Sequence, residues 1–89
     1  MRAQASKQLL EKLKKLNVRI RNSFFEKIKI FEENYQNPIL NNHALKREYQ
    51  GYRSINITAD YRALYKEITE GDQTIAYFVL LGTHEELYG

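Results

Sequence analysis

The chain contains no cysteine and no tryptophan, and only one proline and four glycines among 89 residues. Without cysteine there is no disulfide framework, no thiol nucleophile and no cysteine-ligated metal. No apolar run reaches 18 residues, and the N-terminus lacks the apolar stretch of a secretory signal. These absences lead us to expect a cytoplasmic protein with no membrane partner. Histidine is scarce too, with two copies, and Asp60 is the one carboxylate conveniently placed beside either of them. That is a poor ligand inventory, so we expect no metal and no cofactor.

What is present suits one domain spanning residues 1–89. Hydrophobic residues make up 43% of the chain, enough for one modest core in a protein whose size leaves much of its surface wet. The net charge of +3 is unevenly spread. Residues 1–36 carry nine Lys or Arg against four Glu, whereas residues 69–89 carry four acids and no Lys or Arg. A basic body attracts polyanions, although charge alone does not distinguish RNA from DNA or from an acidic protein.

From Ser6 to Tyr35 the apolar spacing is helical. Leu9, Leu13, Leu16 and Ile20 recur at steps of four, three and four, and Phe24, Ile28, Phe31 and Tyr35 extend the stripe. Asn17 suits a break, which gives a short helix to Leu16 and a longer one from Val18, packed as a hairpin against a sheet. Phe25 and Ile30 widen the second helix's apolar arc. Asn37-Pro38 stops that helix, because the residue before proline is driven out of the α region.

Beyond the connector, Leu45–Tyr49 is expected to be a brief strand or extended arm. Ile55 and Ile57 alternate with Ser54, Asn56 and Thr58, as in a strand with two unlike faces. Thr58-Ala59-Asp60 is a polar turn, Tyr61–Lys66 returns antiparallel, Thr69–Asp72 is a hairpin turn and Thr74–Leu81 is a central strand. Met1–Ala5 offers little to build with, so a first strand there is short or missing. The fold class is α+β, with two N-terminal helices on a twisted antiparallel sheet of three to four strands.

Several side chains suited to phosphodiester chemistry fall near one end of that sheet. His84 follows the central strand directly, and an imidazole exchanges protons near neutrality. The competing role is a surface histidine in a final turn, where Thr83 and Glu86 have capping-box spacing. Asp60 either serves its own turn or orients the imidazole and accepts a proton. Arg53 and Arg62 offer guanidinium forks for phosphate oxygens, unless they pair across strands with Asp60 or Glu67. Alternation sets Arg53 beside Ile55, which makes Arg62 the better catalytic candidate.

His43, Lys46 and Arg47 form a small basic cluster ahead of the sheet. His43 either packs on the connector or enters the cleft, while Lys46 and Arg47 suit backbone phosphates. Tyr88 either anchors the tail or stacks on a base. With no metal set available, the 2′-hydroxyl of RNA is the natural nucleophile. The pattern therefore points to RNA cleavage with 2′,3′-cyclic phosphate products.

Four segments, Asn42–Lys46, Gly51–Ser54, Asp60–Tyr65 and Leu81–Tyr88, together resemble the RelE/ParE superfamily of bacterial type II toxins, and within it the YafQ-like mRNA interferases. The likeness runs over residues 6–89. It implies a compact RelE-like toxin that cuts mRNA in the ribosomal A site. It also implies neutralisation by a cognate antitoxin, with operator DNA contacted only through the toxin–antitoxin complex. By resemblance, His43, Asp60, His84 and Tyr88 match site residues of YafQ-like members, and Arg62 lies where RelE has a catalytic arginine. The chain departs from the pattern at Asn56, where YafQ-like members carry a second catalytic histidine, and at Ser54, where they carry an acid. An asparagine can hydrogen-bond substrate but cannot exchange its proton. Two other readings fit the same likeness: a ParE-like gyrase poison, and a binding module with weakened catalysis.

Overall fold

The computed structural model describes residues 1–89. A five-stranded sheet carries two helices on one face, its strands lying side by side in the order β1 (Arg2–Ala5), β5 (Gln73–Thr83), β4 (Tyr61–Glu70), β3 (Arg53–Asn56) and β2 (His43–Ala44). The first strand, expected to be short or missing, is present as the four-residue β1 and pairs parallel to β5. The sheet is consequently mixed, with five strands, and β1 covers an edge of β5 that would otherwise be open. On its outer side, the Ala3 N–H donates to Glu32 Oε2 at 2.9 Å, which ties the edge to the second helix.

The helical hairpin breaks where the sequence indicates. Ser6 caps α1 (Lys7–Lys14) by accepting from Leu9 N, and Asn17 caps α2 (Val18–Glu33) by accepting from Ile20 N. A side-chain oxygen at each N-cap satisfies an amide that the helix leaves unpaired. Arg21 Nη1 then donates to the carbonyls of Lys14 and Leu16, closing the C-terminal end of α1 against the start of α2.

The stripe from Leu9 to Phe31 forms the core: Leu9, Leu13, Phe24 and Phe31 are buried against Ile55, Ala63, Tyr65, Phe78 and Leu81. Phe31, Tyr65 and Phe78 meet with ring centroids 4.9–5.3 Å apart, within the range where aromatic pairs attract beyond simple burial. Phe25, expected to join this core, is instead exposed. Its ring lies beside that of Phe24, at the mouth of a small apolar groove under β1.

Two expectations about the connector need correction. Helix α2 ends at Glu33, ahead of Asn37-Pro38, and Asn37 instead caps a 3₁₀ turn over Pro38–Leu40. The brief strand is β2 (His43–Ala44), and residues 47–49 form a second 3₁₀ turn, because Arg47 adopts a left-handed φ of 58° that ends the extended run. From there β3 (Arg53–Asn56) and β4 (Tyr61–Glu70) run antiparallel, and β4 turns into β5 through Gly71-Asp72, with Gly71 at φ 63°. Such a two-residue turn demands positive φ, which glycine adopts without a Cβ clash.

Register settles which residues share a face. Ile55, Ala63 and Leu81 lie in one cross-strand row, on the helical side. Asn56, Arg62 and Gly82 form the neighbouring row on the opposite face, where His43 also lies, paired with Ser54. Leu64 and Leu80 pair, and so do Tyr65 and Phe78, which leaves Val79 as a bulge. The bulge reverses the alternation of β5, so that Phe78 and Leu81 both reach the core.

Candidate active site

The β3–β4 turn is the foundation of the site. Thr58 Oγ1 accepts from the amides of Asp60 and Tyr61 at 3.3 and 3.1 Å, and the amides of Ile57 and Thr58 donate to Tyr61 O. Arg62 folds back over this turn, its Nη1 lying 2.9, 3.1 and 3.0 Å from the carbonyl oxygens of Thr58, Ala59 and Tyr61. One edge of the guanidinium therefore clamps the turn, and its remaining N–H groups make no bond within the protein.

The tail is fastened to the same turn. The backbone N–H of His84 donates to Asp60 O at 3.0 Å. His84 opens the short helix α3 (His84–Tyr88), whose start is fixed by the capping box read from the sequence. Glu86 N donates to Thr83 Oγ1 at 3.1 Å, and Thr83 N donates to Glu86 Oε1 at 2.8 Å. The Thr83 amide, with Lys12 Nζ at 3.7 Å, holds the Glu86 carboxyl below its ordinary range. Gly82 permits this closure: a Cβ there would lie 3.2 Å from Glu86 Oε1 and 3.3 Å from both Leu87 Cγ and Lys12 Nζ.

As a result the side chains of Asp60 and His84 line one open recess of about 400 Å³, with Thr83 and Glu85. The Asp60 carboxylate has no ion pair or hydrogen bond inside the protein. The His84 ring packs on Tyr88 with centroids 4.8 Å apart and planes at 60°. Tyr88 in turn meets Tyr49 edge-on at 5.7 Å, and Tyr49 Oη donates to Leu87 O at 2.9 Å. Lys46, Arg47, Tyr49 and Tyr88 line an adjoining recess of about 230 Å³ with Glu48 and Leu87. No three His, Asp or Glu side chains are placed so that they could hold a metal ion together.

On the sheet face itself, His43 Nδ1 lies 2.8 Å from Asn41 O. A carbonyl only accepts, so Nδ1 carries a proton and Nε2 is left without a partner in the protein. Asn56 lies across from Arg62, its Oδ1 buried without a partner, as is Ser54 Oγ two residues earlier on the same face.

No protein-family model matches the chain, and no curated protein matches it by sequence. Solved structures do match in shape. YafQ from E. coli strain BL21(DE3) aligns over 100% of both chains at 23% identity, with a TM-score of 0.75. The E. coli DinJ–YafQ toxin–antitoxin complex covers 98% of this chain and 96% of its own at 24% identity and a TM-score of 0.72. A YoeB/ParE toxin from Agrobacterium tumefaciens covers 94% and 99% at 17% identity and 0.73. The fold is that of the RelE/ParE toxins.

Within this RelE/ParE fold, the expected residues divide into two groups. His84, Asp60, Arg62 and Tyr88 converge on the turn and tail, Lys46 and Arg47 stand beside Tyr88, and His43 and Asn56 lie on the same sheet face as Arg62. Arg53 is separated from them. It pairs with Tyr65 on the helical face, and its Nε donates to Asn42 Oδ1 at 2.9 Å. Asn42 Nδ2 donates to Tyr65 Oη at 2.8 Å and to Tyr35 O at 3.0 Å, a network that pins the end of α2 to the sheet. Burial raises the Tyr65 phenol above its ordinary value, with Asn42 and Arg53 opposing the shift.

Sequence reasoning passed over Tyr49 and Asn42. Tyr49 falls within a run read as extended, and only the left-handed turn at Arg47 brings its ring to the tail. Asn42 carried one available signal, its place next to His43 in a connector too short to leave an amide idle.

Proposed function

We propose that the chain is the toxin of a type II toxin–antitoxin pair and acts as a ribosome-dependent mRNA endoribonuclease. The observation that carries this reading is the His84–Asp60 backbone bond, which sets an imidazole and an unpaired carboxylate in one recess beside the turn that Arg62 clamps. The likeness in fold to a YoeB/ParE toxin and to the DinJ–YafQ toxin–antitoxin complex supports the biological role. By the same likeness, the partners are a cognate antitoxin, the ribosome and its mRNA.

The chemistry needs no group beyond these side chains and the RNA. Asp60 takes the proton of a ribose 2′-hydroxyl as that oxygen attacks the adjacent phosphorus. The free edge of the Arg62 guanidinium stabilises the charge that builds on the non-bridging oxygens. The P–O5′ bond breaks, and His84 in its imidazolium form donates a proton to the departing oxygen. The products are a 2′,3′-cyclic phosphate and a 5′-hydroxyl end. Tyr88 holds a base, Asn56 and His43 contact the strand across the sheet face, and Lys46 and Arg47 hold phosphates.

The test is cleavage of a translated mRNA by the purified chain, with and without ribosomes, and with end-group analysis of the fragments. Cyclic phosphate ends appearing only with translating ribosomes are the expected result. Intact mRNA accompanied by accumulated gyrase–DNA cleavage complexes would assign the chain to gyrase poisoning instead.

A further inference from the structure

Helix α3 has five residues, and a helix that short does not hold its own shape in water. Its position is set by what fastens it from outside. At its first residue, the His84 amide donates to Asp60 O at 3.0 Å. At its fourth, Tyr49 Oη donates to Leu87 O at 2.9 Å, and no other hydrogen bond from outside the tail reaches Leu87, Tyr88 or Gly89. The capping box acts at the N-terminal end, and the Lys12–Glu86 pair joins two half-exposed side chains at 3.7 Å, a loose restraint. A turn held only at its start is free to rotate about its axis, and the bond from Tyr49 fixes that rotation. His84 lies on the same helix face as Leu87, three residues earlier, so the rotation fixed at Leu87 also aims the imidazole.

Tyr49 is a rigid anchor. Arg47, at a left-handed φ of 58°, bends the chain away from the line of β2. Tyr49 N then donates to Lys46 O at 3.2 Å, and Tyr52 N donates to Tyr49 O at 2.9 Å. A residue other than glycine is strained in that conformation, and such strain persists where a particular geometry is needed. Here it delivers a phenol to a carbonyl 38 positions away in sequence. The Tyr49 ring meets Tyr88 edge-on at 5.7 Å, and Tyr88 packs on His84 at 4.8 Å, so ring and hydroxyl restrain the same element.

We propose that Tyr49 is a positioning residue for the cleavage step: its hydroxyl sets the rotation of α3 and thereby aims His84 at the departing 5′ oxygen. The proposal rests on the RNA-cleaving reading of the recess and gives Tyr49 no contact with RNA. Of the two proton-transfer groups it acts through His84 alone. Asp60 belongs to the β3–β4 turn, which Thr58 and Arg62 hold without help from the tail. Loss of the Tyr49 hydroxyl should therefore impair protonation of the leaving group and spare removal of the 2′-hydroxyl proton.

The experiment compares the full parent chain with Tyr49→Phe, which keeps the ring and removes the donor, on ribosome-bound mRNA in single turnover. On the natural phosphodiester the maximal rate should fall by about 10- to 100-fold, while the half-saturating toxin concentration stays within about two-fold. A second mRNA carries sulfur in place of the bridging 5′ oxygen at the position the parent cuts. A thiolate departs without a proton, so a misaimed acid no longer matters there. Tyr49→Phe should cut this mRNA at the parent's rate, and His84→Ala should be rescued likewise, whereas Asp60→Ala should stay slow. A loss caused by general loosening or by weaker binding would persist with sulfur. Without any RNA, the Tyr88 ring resonances of Tyr49→Phe should move toward random-coil positions.

Parent-like cutting of natural mRNA by Tyr49→Phe would overturn the proposal, and so would an equal loss on the two substrates. Unmoved Tyr88 resonances would overturn it whether or not the parent cuts RNA. Because the order of the tail is read without cleavage, the two ideas fail separately. A parent that cuts neither mRNA, with those resonances displaced in Tyr49→Phe, sinks the nuclease reading and leaves Tyr49 as the residue that orders the tail.

Discussion

The amide of His84 donates to the carbonyl of Asp60 at 3.0 Å, so the last strand's exit is joined by its backbone to the β3–β4 turn. The bond uses main-chain atoms on both sides and leaves the imidazole and the carboxylate free. The two side chains are thus brought together by the fold and not by attraction to each other.

The first prediction follows from that independence. His84→Ala and Asp60→Ala should each lower cleavage by about 10²- to 10⁴-fold, the usual contribution of a general acid or base. Both side chains are exposed and contribute no bond to the fold. Their unfolding free energies should therefore stay within about 0.5 kcal/mol of the parent. Chemical denaturation beside the ribosome cleavage assay checks both halves, and undiminished cutting by either variant removes that residue from the mechanism.

Most of this arrangement could be read in advance, because it depends on local rules. Helix caps at Ser6 and Asn17, the alternation of Ile55 and Ile57, and the Thr83–Glu86 spacing are decided by residues a few positions apart. Alternation alone sets Arg53 on the side away from Asn56, as the register shows. What escaped the sequence is non-local or strained. The pairing of β1 with β5 joins residues more than seventy positions apart, and a four-residue strand shows too little periodicity to announce itself. The left-handed turn at Arg47 contradicts the ordinary preference of its residue type, and Tyr49 was missed along with it. Phe25 stays exposed although the stripe widens to include it, because a helix stripe does not reveal how wide an arc the sheet will cover.

The two arginines should separate by phenotype. Arg62→Ala removes a charged donor from three turn carbonyls, a loss of about 1.5–3 kcal/mol for bonds to an ionised group, and should abolish cleavage as well. Arg53→Ala leaves Asn42 Oδ1 without its donor, costing about 1–3 kcal/mol, yet should cut normally per folded molecule. Urea melts and cleavage rates corrected for the folded fraction measure this. Loss of activity in folded Arg53→Ala would bring Arg53 into the proposed site despite its place on the helical face.

Tyr65 predicts an alkaline limit to stability. Its phenol is raised above 10.0 by burial, so the folded state keeps a proton that the unfolded chain releases. The contribution is fully present below the ordinary phenol value of about 10 and is lost as pH rises from there through the raised folded value, at up to about 1.4 kcal/mol per pH unit. Tyr65→Phe should flatten this limb while losing the bond from Asn42 at neutral pH. Melting curves from pH 8 to 11 for both proteins decide the matter, and identical slopes would count against it.

The tail's closure gives the last prediction. A methyl group on residue 82 would meet Glu86 Oε1 at 3.2 Å, and the easiest relief is to swing that carboxylate away, which breaks its bond from Thr83 N. Gly82→Ala should accordingly act like Glu86→Ala, which also removes the acceptor for Thr83 N, loosening α3 without disturbing a core built from Phe31, Tyr65 and Phe78. Displacing His84 by an ångström or so should lower cleavage by about 10- to 100-fold. Glu86 adds a pH signature of the opposite sign to that of Tyr65. Its carboxyl is held low in the folded chain, so the cap is complete above the ordinary carboxylate value and is lost as pH falls through the depressed one. The Tyr88 ring resonances, shifted by His84 at 4.8 Å, report the order of the tail directly. They should move toward random-coil positions in Gly82→Ala at neutral pH, and in the parent only under acid. Unchanged resonances in Gly82→Ala would show that Lys12 and Glu86 yield without releasing the cap.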